Sequence, residues 1–194
     1  MQLAGLPAGT PDVAGESIVE SDGTMAIQTA EDLFLSILSH LHSAEQRTLQ
    51  IVEEMSQQTQ DKEVKELLDL RAYLQKQEIS NIEECFRILG KQPTPPITRF
   101  FDVLVEDFRR ELSEIPTPAL RALYILRAIR RAQEFHIAEY GTLVAMAGLV
   151  QNLPVAMLLE RNLTDKMIFA ERTRELIREI GRNVFAARMM QKVA

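Results

Sequence analysis

The stretch PALRALYILRAIRRAQEFHIAEYGTLVAMAGLV, residues 118–150, decides the fold. Leu123, Leu126, Ile129, Ala132, Phe135, Tyr140, Leu143 and Ala147 recur at helical spacing, so one face of a long helix is apolar and must be buried. Asn152-Leu153-Pro154 breaks the run. Downstream, a second long helix is expected from Pro154 to near Met190, carried by Leu158, Leu159, Leu163, Phe169, Leu176, Ile177, Ile180 and Val184. Upstream, Pro116-Thr117-Pro118 closes a short amphipathic segment between Ile97 and Leu112, whose Phe100, Phe101, Leu104, Val105 and Phe108 mark a crossover helix.

Two more long helices precede it. The first starts after Thr29, whose hydroxyl can cap free backbone N–H groups while Glu31 and Asp32 favour the positive end of the helix dipole. Its apolar positions Phe34, Ile37, Leu38, Leu41, Ala44, Leu49, Val52 and Met55 fade in the polar run Ser56 to Gln60. The next helix begins near Asp61 and ends where Gly90 can adopt the left-handed cap conformation, ahead of Pro93-Thr94-Pro95-Pro96. The fold class expected is all-α: a ferritin-like four-helix bundle with a short extra crossover helix between the two helical hairpins. Residues 1–28 mix Gly, Pro, Ser and Asp without any period, so they are read as an N-terminal tail, and 29–190 as the bundle.

Composition agrees and narrows the function. In 194 residues there are only eight Gly and eight Pro and no Trp, while Leu, Ala, Glu and Arg dominate, which suits helices rather than a sheet. A net charge of −6 disfavours nucleic acid as the main partner. A lone cysteine, Cys85, excludes an intrachain disulfide framework or a CxxC motif and suits a reducing cytoplasm, and no segment is apolar enough to predict a membrane span or export signal. The remaining histidines, His40 and His42, are two apart and are expected at the surface or an interface.

The informative residues are polar ones on the inward stripes, because each costs free energy unless it is paired or bound. The helix periods place Glu45, Glu78 and His136 inward, and on the last helix pass through Asn162 and either Asp165 or Lys166. Glu45 and Glu78 stand at similar distances from the first hairpin loop, and His136 and Asp165 from the second, so the four can share one layer. Carboxylates and an imidazole converging from four helices are what an iron or manganese site in a bundle uses. The plainer alternative pairs a buried Glu with Arg47, Lys76 or Arg131, and makes the histidine a hydrogen-bonded core residue.

Two segments resemble a known family. Ala30-Glu31-Asp32-Leu33-Phe34 with His42-Ser43-Ala44-Glu45, and Ala132-Gln133-Glu134-Phe135-His136-Ile137-Ala138-Glu139-Tyr140-Gly141-Thr142-Leu143, are similar to the first and third helices of the YciE/YciF family of bacterial ferritin-like stress proteins. The resemblance covers about residues 29 to 181 and implies a ferritin-like bundle, commonly dimeric, with a binuclear metal site and a role in stress response. Glu45 matches the family pattern. Family acids elsewhere give way to Tyr73-Leu74-Gln75, Gln133 and Thr164-Asp165-Lys166.

Two functions follow as expectations. The leading one is a stress-associated protein with a degenerate or absent metal site, acting as a homodimeric scaffold or binding module for a protein partner that the sequence does not name. The alternative is a remodelled iron or manganese site on Glu45, Glu78, His136 and Asp165 with a ferroxidase-type oxidation. The sequence leaves open whether the protein is an enzyme and whether it holds any cofactor.

Overall fold

The computed structural model describes residues 27–94, 100–149 and 151–193, with side chains through Ala186. Five helices lie among the described residues: α1 Ala30–Gln58, α2 Lys62–Leu89, α3 Phe100–Glu114, α4 Pro118–Leu149 and α5 Leu153–Val193. The expected tail falls outside the described residues up to position 26, as do the expected ends of the crossover helix at 97–99 and of the third long helix at Val150.

Local chemistry sets the helix ends. Thr29 and Asp32 form a reciprocal capping box, Asp32 N donating to Thr29 Oγ1 at 3.1 Å and Thr29 N to Asp32 Oδ2 at 2.9 Å. The Thr29 hydroxyl, followed by backbone donors, holds the Asp32 carboxyl below the usual carboxylate range. Asp61 caps α2 by accepting from Val64 N at 3.1 Å. At the other end Gly90 takes φ 65°, and the bonds from Gly90 N to Arg87 O and from Lys91 N to Phe86 O close a Schellman turn. The second hairpin turns the same way, one residue before the expected Asn-Leu-Pro break: Gln151 carries φ 56°, with Gln151 N on Gly148 O and Asn152 N on Ala147 O. Asn152 then accepts from Val155 N, and Pro154 fits inside the first turn because no intrahelical donor is needed there.

α1 pairs with α2 and α4 with α5 as antiparallel hairpins, and α2 lies against α5 while α1 lies against α4. Two apolar clusters fill the ends of the bundle. One joins Val52 and Met55 of α1 to Leu67 and Leu68 of α2 and Ile125, Leu126 and Ile129 of α4. The other joins Phe34, Leu38 and Leu41 to Ile82 and Phe86, and to Tyr140, Leu143 and Leu159. High α1 numbers thus meet low α4 numbers, so these helices are antiparallel. Each fully buried Leu or Ile stabilises the fold by about 1.5–3 kcal/mol. α3 crosses over the α1/α4 seam, held by Arg109 on Glu54 at 2.6 Å and by Arg47 of α1 on Asp102 at 2.7 Å. Among the described residues no helix is long and apolar enough to cross a membrane.

His42 corrects the surface assignment: it is buried, edge-on to Phe86, and within 3.4 Å of Glu83 Oε1. Cys85 is wholly buried, and burial pushes its thiol up to about 12, as a core residue requires.

The two turns predict opposite mutational signs. Gly90→Ala forces a Cβ into the left-handed region and lowers stability by about 1 kcal/mol, whereas Gln151→Gly relieves that strain and raises stability by about the same amount. In thermal unfolding the midpoints should move about 2–4 °C in opposite directions.

Candidate functional site

Between the apolar ends lies a layer of buried charge. Helical period brings Glu45 from α1, Glu78 from α2 and His136 from α4 to one level, each essentially without solvent exposure. The fourth expected ligand is displaced. Asp165 is half-buried and outside this cluster, and Lys166, about 100° further around α5, is the residue turned inward.

Lys166 Nζ sits in the middle of the layer. It lies 2.7 Å from Glu45 Oε1, 2.8 Å from Glu45 Oε2, 2.9 Å from Glu78 Oε2 and 3.2 Å from His136 Nδ1. Arg71, two turns before Glu78 on the same face of α2, grips that carboxylate with both guanidinium nitrogens, its Nη1 at 2.9 Å from Oε1. Gln75 donates to Glu45 Oε2 at 2.7 Å and to the Glu45 carbonyl at 2.9 Å. Asn162 extends the network by donating to the Glu78 carbonyl at 3.0 Å and the Tyr140 hydroxyl at 3.2 Å, while Asn81 donates to it at 2.7 Å.

The charges balance: Arg71 and Lys166 are opposed by Glu45 and Glu78. Burial works against the Arg71 charge, but Glu78 overcomes it and holds the guanidinium above its ordinary value. Burial pulls the Lys166 ammonium down, with Glu45 and Glu78 resisting. His136 is held well below its usual range, first by burial and then by the positive charges of Lys166 and Arg71, so the ring is neutral. An ammonium only donates, so Nδ1 must accept, and the ring proton belongs on Nε2. That Nε2–H is buried and has no hydrogen-bond partner among the described residues. Tyr140 is held as a phenol, by burial first and then by the two carboxylates.

A metal ion does not fit this donor set. Both Glu78 oxygens are committed to Arg71 and Lys166, Glu45 to Lys166 and Gln75, and the imidazole lone pair to Lys166. Unit charges of like sign 4 Å apart repel by roughly 4 kcal/mol at an effective dielectric constant of 20, and a divalent ion beside the ammonium doubles that. Among the described residues no group of three or more His, Cys, Asp and Glu has metal-holding geometry. The alternative partners expected for a buried Glu are engaged elsewhere or absent from the cluster: Arg47 pairs with Asp102 and Lys76 with Glu53.

Arg71 and Gln75 are the participants that sequence reasoning passed over. Their signal was available, since 71, 75 and 78 form the stripe that turns Glu78 inward.

A family model described as a domain of unknown function, DUF892, matches residues 29–186. The chain is 23% identical over 146 residues to Protein YciF of Escherichia coli K12, covering 73% of this chain and 86% of that protein. Among solved structures, the E. coli stress protein YciF superposes with a TM-score of 0.75 at 19% identity, covering 80% of this chain and 99% of that one. YcfI of Rhodopseudomonas palustris superposes with a TM-score of 0.73 at 23% identity, covering 77% and 95%. A two-domain protein of Anabaena variabilis, containing DJ-1/ThiJ/PfpI-like and ferritin-like domains, gives a TM-score of 0.57 at 16% identity over 80% of this chain and 38% of that one.

Removing one partner from a buried ion pair strands the other. Lys166→Met should cost about 3–5 kcal/mol in urea unfolding, and adding Glu45→Gln should recover part of that loss, because the stranded carboxylate is then neutral. The pH response follows from His136. Its folded-state pKa is depressed, so below about pH 6.5 the unfolded chain binds the extra proton. Stability is therefore full above that pH and falls as acid is added, by up to about 1.4 kcal/mol per pH unit. Unfolding midpoints at pH 7, 6 and 5 should show a shallower slope for His136→Gln than for the parent protein; equal slopes would disprove the assignment.

Proposed function

The chain belongs to the DUF892 family and shares its ferritin-like fold with YciF, and on that premise we propose that it is a stress-associated structural protein in which an internal ammonium stands in for the metal centre of the bundle. The carrying observation is Lys166 Nζ within hydrogen-bond reach of Glu45, Glu78 and His136, with Arg71 closing the charge balance. A bundle with two glutamates on its inner face needs about two positive charges there, and a divalent ion or a pair of basic side chains meets the same electrostatic requirement. With the charge supplied by the chain itself, the core needs no resident iron or manganese, and the reading assigns it no oxidation chemistry. YciF is named a stress protein, which supports the physiological setting.

The reading is of a cytoplasmic homodimer. The free, buried Cys85 supports the compartment, and the dimer is supported by apolar side chains left uncovered at the second hairpin, where Leu149 at the end of α4 and Leu153 and Met157 in the first turns of α5 are more than half exposed. A second copy that covers these side chains turns a solubility cost into an interface.

Metal analysis of protein purified without chelator tests the central claim. The expected result is a folded protein with substoichiometric iron, manganese and zinc, whose melting temperature is unmoved by chelator or by added Mn(II). Stoichiometric metal that disappears in Glu45→Ala would overturn the reading.

A further inference from the structure

We propose that the groove at the start of α3 binds a small organic monocation, an ammonium head on an apolar body, held between the Glu139 carboxylate and an aromatic wall. Here the seam between α1 and α4 lies open as a groove of about 760 Å³, a size usual for small-molecule sites. Glu139, His40, Phe100, Phe101 and Phe135 all line it, so each can meet an occupant directly.

The carboxylate sets the sign of the ligand. Glu139 is half-buried and makes no hydrogen bond or ion pair among the described residues. Burial pushes its carboxyl up, and the His40 ring on the facing helix resists without pairing with it. A carboxylate that has lost water and gained no partner disfavours the fold, and a cation entering the groove recovers that loss. The other charges lining the groove are spent on each other: Arg47 holds Asp102 at 2.7 Å and donates to Gln50 at 3.2 Å. Glu139 therefore remains as the uncompensated charge.

The aromatic wall sets its body. Phe135 stands one turn before Glu139 on the same side of α4, so ring and carboxylate are neighbours. Phe100 stacks on Phe135 with ring centroids 5.4 Å apart, and Phe101 meets the two edge-on at 5.3 and 5.0 Å. Phe101 is fixed in turn by the His136 ring, on which it stacks at 5.7 Å. The wall is thus preorganised by its own packing. Phe100 is nevertheless about half exposed, so the side turned away from Phe135 is left open. An open ring face draws a cation through its quadrupole, most strongly where water is partly excluded.

These features separate an organic cation from the other occupants of a groove. A metal ion is poorly served, because among the described residues no group of three or more His, Cys, Asp and Glu has metal-holding geometry. An anion meets an unpaired carboxylate and an arginine already committed to Asp102. A neutral apolar molecule gains the rings but leaves the carboxylate unmet. A quaternary ammonium needs no ligand sphere: one carboxylate neutralises it, and its methyl groups bury against the rings. A dication would bring a second charge with no counter-ion in the groove, so the ligand carries one.

Choline and 3,3-dimethylbutan-1-ol make a matched pair of probes, equal in shape and different in one charge. Titrating choline into the full chain at constant ionic strength should give saturable NMR shifts at the Ala44 methyl and the Phe100 and Phe135 rings, with the Val155 and Leu159 methyls of the distant apolar cluster unmoved. The neutral isostere should bind about tenfold more weakly. Glu139→Gln, which keeps the side-chain shape and removes a half-buried charge, should weaken choline about tenfold and leave the alcohol unchanged. Phe100→Leu, at a half-exposed position, should weaken choline about two- to fivefold through the lost ring face. Absence of saturable choline shifts, equal affinity for choline and the alcohol, or choline binding unmoved by Glu139→Gln would each overturn the proposal.

Discussion

Everything in the middle of this bundle answers to one constraint: two carboxylates on facing inner stripes cannot be buried without two positive charges beside them. Lys166 and Arg71 meet that requirement through short, directed contacts rather than through a bound ion. The arrangement divides the labour. Arg71 matches the fork of one carboxylate, whereas Lys166, a compact charge on a long stem, bridges both carboxylates and the imidazole. The neutral amides of Gln75 and Asn162 take up further acceptors, which low dielectric makes costly to leave unmet.

This layer governs the rest of the core. It separates the two apolar clusters, so neither can slide along the bundle without pulling a charge away from its partner. Register between all four long helices is thereby set by ion pairs and hydrogen bonds, while the apolar clusters provide most of the free energy. α3 completes the design from outside. Its ion pairs to α1 hold it over the α1/α4 seam, and its Phe101 covers the neutral face of His136.

The legibility of the site divides along the same line. Glu45, Glu78 and His136 were readable because each has a core residue one turn away on the same stripe, Leu41, Ile82 and Tyr140 respectively. On α5 the stripe passes between 165 and 166, and a helical period of 3.6 leaves adjacent positions unresolved when the flanking apolar residues are sparse. Packing against α1, α2 and α4 resolved that choice in favour of the lysine. Arg71 was hidden for another reason: long basic side chains on helices mostly reach solvent, so an arginine on an inward stripe is discounted until its partner is located. His42 was misplaced because a sequence does not show that Phe86 and Glu83 of the next helix would enclose it.

By itself the sequence determined the elements: periodicity sets the helices and their faces, Thr29, Asp61 and Gly90 set their ends, and the inward positions of two acids and one imidazole follow from the same repeat. These are local consequences of backbone geometry, available to each helix alone. Only the tertiary structure decided what the inward polar groups do, because whether a carboxylate meets a metal or an ammonium depends on distances between helices far apart along the chain. Here Glu45 meets a lysine 121 residues away, and that contact sets the chemistry of the layer.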